Sequence, residues 1–186
     1  MAAASSKKGT TGRLAPEDWI RAAMEGLLKR GAKGLRIAYL ARELGVTPGS
    51  FYWHFGDRDE FRDRVLQHWM NEMIVRAARV AGRAGKGAAQ LRTLPDVLVD
   101  RRLPDYDAAM RTWALTEPEV ADAVARADAM RIRRVGGMFE EAGFSKKVAA
   151  ARAQTVLWVF LGSVGNDPKL RLNAFKELVE VFLANK

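Results

Sequence analysis

Within the twelve residues from Thr47 to Arg58 the chain sets out hydroxyls, aromatic rings, an imidazole and a guanidinium. Phe51 and Phe55 recur four apart and point one way, while Gly49, Ser50, Tyr52, Trp53 and His54 fall on the opposite face. So much aromatic surface turned outward needs a partner to cover it. The residue types do not suit covalent or hydrolytic chemistry, and we expect no enzyme. Cysteine is absent and His54 and His68 are the only histidines, so neither a thiolate nucleophile nor a Cys/His metal site can be assembled. We expect no metal and no cofactor. What remains is recognition. The formal charge is +9, which draws a protein towards polyanions without saying which. The positive charge is concentrated early, with eight Lys or Arg against three acids in residues 1–36.

The elements around this segment read as helices throughout. Pro16 opens the first, with Glu17 and Asp18 opposing the dipole in its first turn. Trp19, Ala23 and Leu27 recur at i+4 to about Arg30. A second helix from about Arg36 shows Ile37, Leu40, Ala41 and Leu44 on one face and stops at Gly45, suited to a left-handed position. Thr47 is placed to cap the third, with Pro48 at its first position. Asp57 and Glu60 form a capping-box pattern for a fourth helix running to about Ala81. After a glycine-rich loop, Gly82 to Gly87, a fifth helix carries Leu91, Leu94 and Leu98 and is bent by Pro95. A sixth starts near Pro104, a seventh runs from Pro118 to Gly143, and an eighth is capped by Ser145. Gly165, Asn166 and Pro168 make the last turn before the ninth.

The expected fold class is therefore all-α. A three-helix head is joined by a long fourth helix to a C-terminal bundle, with about nine helices in total. Its domains are a flexible basic arm over 1–15, a helix-turn-helix domain over 16–66 and a helical ligand-binding and dimerisation domain over 67–186. The arm, with Lys7, Lys8 and Arg13, is a frayed terminus or lies along a DNA groove. Apolar residues make up 48% and charged residues 28%, the balance of a globular chain. The start lacks the apolar core of a signal peptide, and the most hydrophobic stretch, Thr155 to Val164, is too short to span a bilayer. We expect a cytoplasmic protein with no membrane partner.

Two short helices separated by Gly45-Val46-Thr47 make a helix-turn-helix pattern. The run LARELGVTPGSFYWHFGDRDEF resembles the DNA-binding signature of the tetracycline-repressor (TetR) family of transcriptional regulators. The matching features are the Leu44-Gly45-Val46 turn, the Tyr52-Trp53-His54 triplet and the basic Arg58 opening the next helix. The motif match spans about Trp19 to Leu66; beyond it the resemblance is one of helix count and order. The phrase PDYDAAMRTWA also resembles segments in one group of these regulators. Carried over residue by residue, the resemblance implies that Thr47 and Ser50 bind phosphates and that Pro48, Gly49 and Tyr52 meet base edges. It implies that Trp53 and His54 touch the backbone and that Arg58 grips a phosphate. Pro48 and Gly49 offer no side-chain hydrogen bond to a base, so thymine methyls and DNA shape would share in specificity.

The remaining residues are expected to dimerise the chain and to sense a ligand. A homodimer could read a palindromic operator, an inverted repeat in double-stranded DNA. The family places its interface on the last two helices, where Val156, Phe160, Phe175, Leu178 and Phe182 are the candidates; each is equally an ordinary core position. Tyr106, Met110, Trp113, Met138, Phe139 and Trp158 could line an apolar pocket or form packed core. The expected ligand is a small, largely apolar inducer, and the expected activity is repression relieved by it. A ligand-independent architectural DNA binder and a helical protein-interaction module are the alternatives. Arg131, Arg133 and Arg134 read as a solvated helix face.

Overall fold

The computed structural model describes residues 14–100, 103–162 and 167–184. The basic arm with Lys7, Lys8 and Arg13, and the turn residues Gly165 and Asn166, lie outside the described residues. Helix α1, Pro16–Arg30, begins with proline at its first turn, and the Asp18 carboxylate accepts the Ala15 N–H at 2.9 Å. A 3-10 turn, Gly31–Leu35, folds back on α1. The approach is so close that a Cβ at Gly34 would lie 2.1 Å from the Gly26 carbonyl oxygen, so both positions require glycine. Helix α2, Ile37–Leu44, ends at Gly45 with φ +71, the left-handed conformation that glycine adopts without steric cost.

A short 3-10 helix, Pro48–Trp53, follows α2. Helix α3, Arg58–Met70, then passes through a π-helical turn, Asn71–Arg76, into α4, Ala77–Gly82. The expected fourth helix is thus one rod interrupted by a π turn, a feature that concentrates at functional sites. The body comprises α5 (Ala88–Asp100), α6 (Leu103–Ala114), α7 (Pro118–Glu141), α8 (Lys146–Gly162) and α9 (Pro168–Ala184). Pro95 sits inside α5 and does not end it. Ser145 caps α8, its hydroxyl accepting the Val148 N–H at 3.4 Å. Among the described residues all regular structure is helical, and no helix is long and apolar enough to cross a membrane.

One apolar cluster runs from the head into the body. It joins Trp19, Leu40, Phe51 and Phe55 to Val65 and Trp69 on α3, and these to Met110, Trp113 and Val120 on α6 and α7. A second gathers Leu91, Phe139, Val156, Phe175 and Val179 between α5 and the last three helices. Burying each large apolar side chain in these clusters contributes about 1.5–3 kcal/mol. The head is therefore seated on the body through a shared core.

Candidate nucleic-acid interface

The turn after α2 is closed by the Val46 N–H donating to the Ala41 carbonyl at 2.9 Å. Thr47 follows in extended backbone and makes no side-chain capping bond. This differs from the capping role expected of it, because a six-residue 3-10 segment ties its first turn through the Thr47 carbonyl, which accepts the Ser50 N–H at 3.1 Å. The Ser50 hydroxyl donates to that same carbonyl at 2.8 Å. Its proton is thus engaged within the chain, and to donate to a phosphate it must rotate away.

Phe51 is fully buried and anchors the segment from behind. Its ring meets Trp19 at 5.5 Å, Phe55 at 5.0 Å and Phe61 at 5.1 Å, all within the range of favourable aromatic pairs. Against this fixed back, the front is open. Tyr52 is 60% and Trp53 80% exposed; Thr47, Pro48 and Gly49 are exposed, and Ser50 and His54 half-buried. The expected face is therefore brought together on one short, rigid segment. Behind it, Asp57 accepts the Glu60 N–H at 2.8 Å, and the Glu60 carboxylate accepts the Gly56 N–H at 2.9 Å. The reciprocal bond of the capping pattern thus reaches one residue further back than expected. It fixes the start of α3, where Arg58 stands exposed at the first helical position. Among the described residues Arg58 has no ion-pair partner within range, unlike Arg62 beside it, which meets Asp59 at 2.9 Å and Asp63 at 3.3 Å. Arg36, which the motif does not single out, shares a cleft with Arg58.

The body differs more from expectation. A half-open apolar pocket of about 60 Å³ lies between α4, α5, α7 and α8, and of the six pocket candidates only Met138 lines it. Met110 and Phe139 are fully buried in the core, and Trp113, nearly buried, edges the surface cleft that holds Arg36 and Arg58. Tyr106 sits at the junction of head and body, where its hydroxyl donates to Glu25 of α1 at 2.7 Å. Trp158 is 63% exposed and is not among the residues lining that pocket. The interface candidates Val156, Phe160 and Phe175 are buried within the chain itself, while Leu178 and Phe182 are half-buried against the second core. Exposed apolar residues include Val148, Ala150, Ala151 and Trp158 on α8, and Leu170, Ala174, Val181 and Ala184 on α9. Helix α8 is apolar on nearly every side, so its sequence does not say which stripe turns inward.

Arg131 corrects the solvated-face reading. It closes a ring of charges between α6 and α7: Arg111 meets Asp107 at 2.8 Å and Asp128 at 2.6 Å, and Arg131 meets Asp128 at 2.8 Å and Asp107 at 2.6 Å. Asp107 is 1% exposed. Burial works against the Arg111 charge, but its bonds to Asp128 and Asp107 outweigh this and raise its pKa. The Arg131 guanidinium lies over the rings of Trp69 on α3 and Phe160 on α8, at 5.4 and 5.5 Å. The spacings Asp107/Arg111 and Asp128/Arg131, four and three apart, were the available signal for this ring.

Residues 20–65 match the family model described as bacterial regulatory proteins, tetR family. Over the whole chain the fold is similar to that of a TetR-family transcriptional regulator from Streptomyces coelicolor, with a TM-score of 0.78 at 19% identity, covering 95% of this chain and 91% of that one. It is similar also to a transcriptional regulator from Rhodococcus, with a TM-score of 0.75 at 21% identity, covering 92% and 97%. BioQ, solved with its natural double-stranded DNA operator, has a TM-score of 0.55 at 25% identity, covering 92% and 99%. No curated protein sequence matches the chain.

Proposed function

We propose that the chain, whose residues 20–65 match the tetR family of bacterial regulatory proteins, is a DNA-binding transcriptional regulator of that type, a ligand-released repressor acting as a homodimer on an inverted repeat. The observation that carries the reading is the segment Pro48–Trp53. Its back is locked by a fully buried Phe51, while Tyr52 and Trp53 stand 60% and 80% exposed. A rigid helix with an uncovered aromatic and hydroxyl face suits a major groove, and Arg58 and Thr47 are placed to position the backbone beside it. BioQ, of similar fold, is known with its operator, which supports the same use of the head here.

Two heads are needed for a palindrome. Exposed apolar residues of α8 and α9, spaced three, four or seven apart and so on one side of each helix, support a four-helix contact between two copies. Covering Trp158 and Leu170, each 63% exposed, would supply apolar burial that the single chain lacks. The rod Arg58–Gly82 joins head to body, and its α4 end lines the half-open pocket. A small, largely apolar ligand entering there would push on that rod and alter the separation of the heads.

Selection of bound fragments from random duplex DNA tests the reading. An inverted repeat should be enriched, and Arg58→Ala should weaken binding to all sequences and reduce the salt slope by about 2, one phosphate contact from each protomer. Failure to enrich any repeat, with the slope unchanged in the variant, would refute it.

A further inference from the structure

One glycine of the exposed face has no structural reason to be glycine. Gly26 and Gly34 pack backbone against backbone, and Gly45 holds the left-handed φ. Gly49 does neither: its φ lies outside the left-handed region, and an added Cβ would meet only the Thr47 Oγ1, at 3.8 Å, an ordinary contact. Alanine would fit there, and in a helix it is the more stable residue. The use of a bare Cα at this place therefore lies in what approaches from outside. Residues three apart in a 3-10 helix share one row, so Gly49 stands in line with Tyr52, which is 60% exposed. The missing side chain leaves a gap in that row, bordered by Thr47. A gap with no side-chain donor or acceptor suits an apolar group, and the apolar group that a major groove offers is the C5-methyl of thymine.

Resting on the reading of Pro48–Trp53 as the segment that enters the groove, we propose that Gly49 is a specificity-determining residue. Its bare Cα seats the methyl of one thymine in each half-site, beside the Tyr52 ring. The two surfaces then form a complementary pair. A methyl carbon rests about 3.5–4.0 Å from the carbon it touches. Alanine adds one carbon on the protein side, projecting about 1.5 Å, and deoxyuridine removes one carbon on the DNA side by the same length. Either change alone breaks the fit, the first by collision and the second by a void. Both together restore the spacing.

The test uses the full-length protein and the inverted repeat it selects, with each thymine of a half-site replaced in turn by deoxyuridine, symmetrically in both halves. For the unaltered protein one such position should lower affinity about fourfold per half-site, the worth of one buried methyl, and so about fifteenfold for the pair. Gly49→Ala should bind the thymine operator at least about tenfold more weakly, and regain most of that loss with deoxyuridine at the same position. Its thermal midpoint should hold or rise, by up to about 4 °C, since the free protein has room for the methyl. Undiminished binding of the thymine operator by Gly49→Ala, a loss that no deoxyuridine position relieves, or a lowered midpoint overturns the proposal. So does indifference of the unaltered protein to every deoxyuridine. Each of these results leaves the regulator standing, because the unaltered protein still holds its repeat. Failure of the unaltered protein to select any repeat would instead refute the regulator itself.

Discussion

Replacing Asp107 with Asn should be among the costliest single changes outside the apolar core. The side chain keeps its shape but loses its charge, at a site 1% exposed. Two charge-assisted bonds are affected, to Arg111 at 2.8 Å and to Arg131 at 2.6 Å. Each is worth about 1.5–3 kcal/mol, and an amide could recover about 0.5–1.5 kcal/mol of the pair. What remains agrees with the roughly 3–5 kcal/mol lost when one partner of a buried ionic group is removed. The Arg111 and Asp128 side chains are 29% and 22% exposed, so solvent screens the outer half of the ring and places the loss near the lower end, about 3 kcal/mol. At ~2–4 °C per kcal/mol for a chain of this size, thermal unfolding should fall by roughly 6–12 °C at matched protein concentration. Adding Arg131→Met to the variant should cost less than the two single changes summed, because the second removes a charge that the first left unpaired. A loss below about 1 kcal/mol for Asp107→Asn, or strict additivity of the pair, would refute the ring as a closed buried unit.

Other outcomes follow from exposure and charge. Phe51→Ala should destabilise the chain by about 3–5 kcal/mol, whereas Tyr52→Ala should change stability by no more than about 0.5 kcal/mol while weakening and altering operator preference, measured by denaturation and fluorescence anisotropy. Trp158→Glu should convert the proposed dimer to monomer in sedimentation, since it places a charge at the largest exposed apolar side chain of α8; an unchanged dimer mass would remove α8 from the interface. The Glu180 carboxyl is held below its ordinary pKa by its hydrogen bond from Arg92, 2.8 Å away. The stabilising effect of that bridge between α5 and α9 is therefore present above the unfolded pKa and lost as the pH falls through the lower folded value. A carboxyl NMR titration should show the depressed midpoint, and Arg92→Met should return it to the ordinary range.

Features fixed by a few neighbouring residues were legible in the sequence. Proline at the start of α1, of the Pro48 segment and of α7, the left-handed Gly45 and the Ser145 cap all act within one turn. The inward Phe51 and Phe55 were legible for the same reason, since a short segment has only one apolar face. Where helices are apolar all round, the pattern no longer chooses. Val156, Phe160 and Phe175 turned inward and Trp158 outward, because the packing of α8 and α9 against α5 and α7 decides, and that is a tertiary matter. Asp107 was illegible in another way. A buried acid makes sense only once Arg111 and Arg131 are seen to converge on it from two helices.

The junction between head and body bears on how a signal could pass. A head on a slack linker would move freely, but here α1 is tied to α6 by the Tyr106–Glu25 bond and α3 to α7 and α8 through Trp69, Arg131 and Phe160. A shared apolar cluster fills the space between. For the proposed release to occur, the head must carry α6 with it or turn about a point above Trp69. The π-helical turn Asn71–Arg76 lies at that point, immediately before Ala77, where the pocket wall begins. A π turn is one of the few places where a helix bends, so it is where the rod can change direction. A push from a ligand entering beside α4 therefore has two outlets, the charge ring against α3 and the π turn within the rod. Both act on the helix whose first residue is Arg58.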